Sequence, residues 1–160
     1  AFCDCDDVWK YKKLEAQIKF MKKNNLNFSY TNYDVIDEKG IVLKKKKFKK
    51  SLNYNNLLTN CYIGLSTVIL HKKLINKYYC FSNLKTKEDY TLWLKLAYSG
   101  VTMKGLNLIL TSWRESKNSL SSSIFQKLKD GYFVYRKEMK FNIIKSTIYL
   151  IILSINSFIK

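Results

Sequence analysis

Helical and strand periodicities alternate along this chain with no Gly-, Ser- or Pro-rich linker between them. That alternation restricts it to an α/β architecture. Tyr11, Leu14, Ile18 and Met21 fall at helical spacing and predict an amphipathic helix over Lys10–Lys23, with Glu15 and Lys19 paired at i, i+4. The stretch FSYTNYDVID, Phe28–Asp37, is rich in aromatic and β-branched residues and predicts a strand. Asp37–Gly40 predicts a turn and Ile41–Leu43 a returning strand. Ser51 is placed to cap a short helix ending at Leu58, and Leu65–Leu70 suits a buried strand. A helix over Glu88–Ser99 is stopped by Gly100. Val101–Trp113 predicts one or two further strands, and residues 119–140 and 141–160 two helices.

Charge alone does not select a function. The chain carries 29 Lys and Arg against 12 Asp and Glu, a net +17. Such an excess suits nucleic acid or an anionic membrane. An excess of Lys, Asn, Ile and Tyr without Pro is also what AT-rich codon usage gives, whatever the function. The lysine-rich run 44–50 reads either as a solvated loop or as a phosphate- or lipid-facing patch. A nucleic-acid-binding module would use that run with Tyr54, Tyr62, Tyr78 and Tyr79 for stacking. It would leave the acidic clusters described next without a role, and no recognition motif accompanies it, so no nucleic-acid partner is expected. Cys3, Cys5, Cys61 and Cys80 form no C-x-x-C pair, and one His, His71, leaves a zinc site short of ligands. Free thiols in a reducing compartment are the expectation, and the N-terminus lacks the basic and apolar regions of a signal peptide.

Three of the few acids crowd the start, in Asp4-Cys5-Asp6-Asp7. In an extended segment Asp4 and Asp6 share one side and Cys3 and Cys5 the other, where small thiols suit a core. Phe2-Cys3 reads as the end of a buried strand, which puts the acids in a loop at a strand's C-terminal end, where α/β sheets bind ligands. Two carboxylates held together repel unless a cation joins them, and Mg²⁺ or Mn²⁺ bound by both plus substrate phosphates would satisfy that geometry. Acids enriched at a helix N-terminus are the ordinary alternative, with Asp7 as a cap. A second pair, Glu88-Asp89, admits the same two readings, since Thr86-x-x-Asp89 has the spacing of a capping box.

Taken together, the motifs resemble family 2 of the glycosyltransferases, the inverting group with the GT-A fold. The matching pieces are Phe2–Trp9, Lys13–Ile18, Ser66–Val68, Glu88–Leu96 and Trp113-Arg114. The resemblance implies a mixed sheet flanked by helices over residues 1–123, a partial GT-A domain, followed by a C-terminal helical extension over 124–160. It implies that Asp4 and Asp6 bind a divalent cation, Mn²⁺ or Mg²⁺, and the diphosphate of a nucleotide-sugar donor. It implies that Asp89 is the general base toward an acceptor hydroxyl, that Glu88 supports it, and that Trp93 and Arg114 belong to the acceptor side or a closing loop. The acceptor would be a saccharide or a lipid-linked saccharide of the cell envelope, and the setting the cytoplasmic face of the membrane. Family members carry the nucleotide-base pocket on strands ahead of the Asp-x-Asp motif. Those strands are not in this sequence, so the chain is expected to match the later part of such an enzyme, with an unpaired sheet edge and no transferase activity alone. A noncatalytic remnant is the bland alternative.

Ser146–Ile159 is uncharged but shorter than the ~20 residues that span a bilayer. It reads as a membrane-surface helix, with residues 141–160 in peripheral contact. A buried core helix and a truncated span are the other options.

Overall fold

A computed structural model describes residues 1–116 and 123–158. Its centre is a mixed six-stranded sheet of β1 (Val8–Trp9), β2 (Phe28–Ile36), β3 (Val42–Lys46), β4 (Ser51–Leu52), β5 (Ile69–Leu70) and β6 (Met103–Arg114). The strand order is β1-β6-β2-β3, with β4 against β6 and β5 against β2. Among the described residues only the β2–β6 pairing is parallel, and the crossover between them carries α2 (Tyr54–Thr59) and α3 (Glu88–Tyr98). β2 is buried on both faces, as a strand at the middle of a covered sheet must be.

The expected strand Phe28–Asp37 and the expected helix Glu88–Ser99 form as β2 and α3. Gly100 stops α3 in a left-handed conformation at φ 86°, and the Val101 N–H returns to the Leu96 carbonyl at 3.0 Å. Elsewhere tertiary contacts overrule local pattern. Lys44–Lys46 extend β3 along the β2 edge instead of forming a loop. Ser51 lies in β4, and Asn53 caps α2 in a reciprocal pair with Asn56. Leu65–Thr67 is a 3₁₀ turn, leaving Ile69–Leu70 as the strand.

The helix α1 (Lys13–Lys23) begins three residues late and turns its expected apolar stripe outward except for Met21. Tyr11 is 99% exposed, and Leu14 and Ile18 are also exposed, whereas Lys13, Gln17 and Met21 face the sheet. Two buried carbonyls explain the reversal, because each needs a donor. The Lys13 ammonium donates to the Thr67 carbonyl at 3.1 Å and to Gln17 Oε1 at 2.7 Å. Gln17 Nε2 donates to the Ser29 carbonyl at 3.0 Å and to that of Thr67 at 3.1 Å. Burial lowers the Lys13 ammonium to about 8.

After residue 123 come α4 (Ile124–Phe133), a π turn (Val134–Glu138) and α5 (Ile143–Phe158). The expectation for 119–122 lies outside the described residues. Val134, Tyr135 and Leu153 join the same core as Phe28, Trp93 and Leu94, so this C-terminal part packs on the sheet domain rather than apart from it. One side of α5 is buried, with Ser146 and Leu153, while Ile144, Ile148, Ile151 and Ile155 form an exposed row. Among the described residues, no helix is long and apolar enough to cross a membrane.

Candidate active site

A cavity of about 600 Å³ is lined by Asp4, Asp6, Asp7, Glu88, Asp89 and Arg114, together with residues 63–67 and 85–87. The two acidic clusters, more than eighty positions apart in sequence, therefore face one hollow. Trp93 is not among its walls. It is fully buried against Phe28, with ring centroids 5.0 Å apart, and against Phe2 and Phe81. The expectation that Trp93 meets an acceptor is thus corrected: one turn beyond Asp89, the same helix face has already entered the core.

The first wall is a turn and not the end of a strand. The Asp7 N–H donates to the Asp4 carbonyl at 3.1 Å. This breaks the expected alternation, and Cys3 and Cys5 are exposed instead of facing a core. Ser66 clamps the turn. Its Oγ accepts from the Asp4 N–H at 3.0 Å and bonds the Asp7 carboxylate. Its carbonyl accepts from Trp9 Nε1 at 2.9 Å and from Thr111 Oγ1 at 3.2 Å. Asp7 does not cap α1, for its Oδ1 accepts from the Arg114 N–H at 3.0 Å. The Arg114 guanidinium donates to the carbonyls of Asp6 (2.9 Å), Asp37 (2.9 Å) and Glu38 (3.0 Å). It ties the acidic turn to the β2–β3 turn and acts as a positioning residue at the rim.

The second wall is the start of α3. Thr86 makes no capping box. Both its N–H and its Oγ1 donate to Asp130 Oδ2, at 2.8 and 2.9 Å, so α4 holds this loop. Lys87 sits at the cap position in a left-handed conformation, φ 76°. Asp89 Oδ1 accepts from the Tyr90 N–H at 2.6 Å.

Asp4, Asp7 and Asp89 are shifted upward. Burial raises Asp4, with added repulsion from Asp6 and Glu88. Burial also raises Asp7, against hydrogen bonds from Ser66 and the Arg114 N–H. Asp89 is pushed up to about 7 by burial first, then by Glu88, with Asp4 adding repulsion across the cavity and Lys87 opposing it. The ion pairs among the described residues are Lys10–Asp34, Lys44–Glu115 and Lys95–Glu138, so none neutralises this cluster. Asp4 and Asp6 are the pair that could hold a divalent cation. Among the described residues no three His, Cys, Asp or Glu side chains group together as metal ligands.

Pattern reading missed the lysines of this site. Lys85, Lys87 and Lys127 line the cavity but are lost among so many other lysines, and only the packing of α4 on the α3 loop singles them out.

The mixed sheet with its flanking helices matches part of a GT-A-like fold of known structure. The chain superposes on the crystal structure of S. aureus TarS 1–349 in complex with UDP-GlcNAc with a TM-score of 0.63 at 17% identity, over 86% of this chain and 40% of TarS. Sequence comparison is more specific. The chain is 35% identical to the teichuronic acid biosynthesis glycosyltransferase TuaG of Bacillus subtilis over 148 residues, 92% of this chain and 58% of TuaG. It is 42% identical over 131 residues to WfgD of Escherichia coli, named UDP-Glc:α-D-GlcNAc-diphosphoundecaprenol β-1,3-glucosyltransferase, over 81% of this chain and 50% of WfgD. No family model matches. The chain is homologous to part of these glycosyltransferases and spans about half of their length.

Proposed function

We propose that the chain supplies the donor-diphosphate and acceptor side of an inverting family 2 glycosyltransferase of cell-envelope polysaccharide or glycolipid synthesis. The convergence of Asp4, Asp6, Glu88 and Asp89 on one cavity, with none of them in an ion pair among the described residues, carries this reading. Asp4 and Asp6 would hold Mn²⁺ or Mg²⁺, which stabilises the negative charge gathering on the leaving nucleoside diphosphate. Asp89 takes the proton of the acceptor hydroxyl. The hydroxyl oxygen bonds the anomeric carbon from the face opposite the diphosphate, the carbon–oxygen bond to the diphosphate breaks, and its electron pair leaves with the phosphate. One such displacement inverts configuration. Glu88 keeps Asp89 basic through repulsion, and Arg114 fixes the acidic turn. The names of the relatives support a UDP-sugar donor and a saccharide acceptor linked by diphosphate to a lipid.

Loss of the free Mn²⁺ paramagnetic resonance signal tests the metal site. With UDP present, the chain is expected to take up Mn²⁺, and Asp4→Asn and Asp6→Asn are each expected to weaken uptake by about tenfold or more. Undiminished uptake by both variants would overturn the assignment.

The same reading places α5 on the cytoplasmic membrane surface, through the exposed row of Ile144, Ile148, Ile151 and Ile155. Co-sedimentation with anionic vesicles is expected for the chain and is expected to be lost in the double variant Ile148→Asn/Ile151→Asn. Equal sedimentation of the two would argue against it.

A further inference from the structure

A second cavity, about 410 Å³, adjoins the first, and Cys61, Lys87 and Lys127 line both. Beyond this seam Ile124 and Leu128 of α4 and Leu150 and Leu153 of α5 form an apolar wall, and Lys46, Asn60, Ser154 and Ser157 complete the lining. Ile124 and Leu128 are 63% and 42% exposed, so apolar surface is left in water along a groove. At the seam, the Lys127 ammonium is lowered by burial and by the charge of Lys87, with Glu115 opposing. Neither lysine forms an ion pair among the described residues. Lys87 also holds a left-handed backbone that costs a side-chain-bearing residue free energy, a feature that clusters at binding sites. Two mutually repelling cations beside a trough with one apolar wall match a ligand with an anionic head and a hydrocarbon tail.

We infer that the second cavity is the acceptor's lipid-diphosphate subsite: Lys87 and Lys127 bind the diphosphate, and the α4–α5 trough takes the first units of the hydrocarbon chain. The inference rests on the sugar-transfer reading and adds where the acceptor lies. A sugar that offers its hydroxyl to Asp89 while joined to a diphosphate needs cations about one ring-width from that base. Lys87 precedes Asp89 by two residues and faces both cavities.

Calorimetry with three probes tests it: an N-acetylglucosaminyl diphosphate bearing an undecyl chain, the same sugar diphosphate without the chain, and UDP with Mn²⁺. The chain-bearing probe is expected to bind at least about tenfold more tightly than the chainless one, because several methylenes leave water. Leu128→Asn is expected to remove that preference while leaving UDP–Mn²⁺ uptake unchanged. Lys127→Gln is expected to weaken both sugar diphosphates by about tenfold. Equal binding of the two sugar diphosphates, or an undiminished preference in Leu128→Asn, would overturn the subsite. Full competition of the probe by plain phosphatidylglycerol vesicles would reassign the lysines to membrane contact. Failure of the unaltered chain to take up Mn²⁺ with either UDP or inorganic pyrophosphate would count instead against the sugar-transfer reading.

Discussion

Replacing Asp89 by Asn is expected to stabilise the chain above about pH 7 and to remove catalysis of transfer. The folded state holds the Asp89 proton more tightly than the unfolded chain does, up to about 7 against an ordinary 3.8. Below the unfolded value both states are protonated and the group has no effect. As pH rises from about 4 to about 7 the unfolded chain ionises first, and folding loses free energy. Above about 7 the cost is constant. At about 1.4 kcal/mol per pK unit, reduced because the residue is only partly buried, it amounts to about 1–3 kcal/mol. Asn does not ionise and keeps a carbonyl oxygen for the Tyr90 N–H. Melting curves of the two chains should therefore coincide near pH 4 and separate near pH 8, with the variant higher. Identical melting at both would show that Asp89 is not held in an unfavourable charged state. In any form of the chain that transfers sugar, loss of the base is expected to cost about 10²–10⁴-fold. The pH profile should rise through the Asp89 value, and that limb should move lower once a cation cancels the repulsion from Asp4. Transfer that survives Asp89→Asn would remove Asp89 from the reaction.

Trp93 gives the largest expected effect on stability. Its ring is fully buried and edge-on to Phe28, with Phe2 and Phe81 beside it. Trp93→Ala removes that volume from the contact between α3 and β2 and is expected to cost about 3–5 kcal/mol. Trp93→Phe keeps an aromatic ring against Phe28. The Trp93 Nε1 has no hydrogen-bond partner among the described residues, so Phe abandons no bond. Its expected cost is about 1–2 kcal/mol. Urea midpoints of the two variants check this. An Ala variant as stable as the parent would show that Trp93 is not a core residue. Because Trp93 lies one turn from Asp89, the Ala variant should also loosen the base, whereas the Phe variant should not.

The acidic clusters could be picked out in the sequence because acids are rare in this chain and stand at element boundaries. Their ordinary explanation at helix starts was equally legible: Glu88 and Asp89 do lie in the first turn of α3, but Asp7 and Thr86 are not caps. Asp7 accepts from Arg114, 107 residues away, and Thr86 donates to Asp130, 44 residues away. The face of α1 was misread for a similar reason. Periodicity ranks side chains by hydrophobicity, but the surface that receives this helix offers carbonyls at Ser29 and Thr67, so Lys13 and Gln17 go inside.

By itself, the sequence determined that β2 is a strand and that α1 and α3 are helices, where α3 starts and stops, and that acids gather ahead of β1 and at the head of α3. Those features depend on neighbours within a few positions, through periodicity, chain stiffness and helix-end chemistry. Only the tertiary structure decided that the two acid groups face each other, that Trp93 belongs to the core, and that Lys87 and Lys127 stand between two cavities. These depend on contacts between residues tens of positions apart, and no local pattern encodes which distant groups will meet.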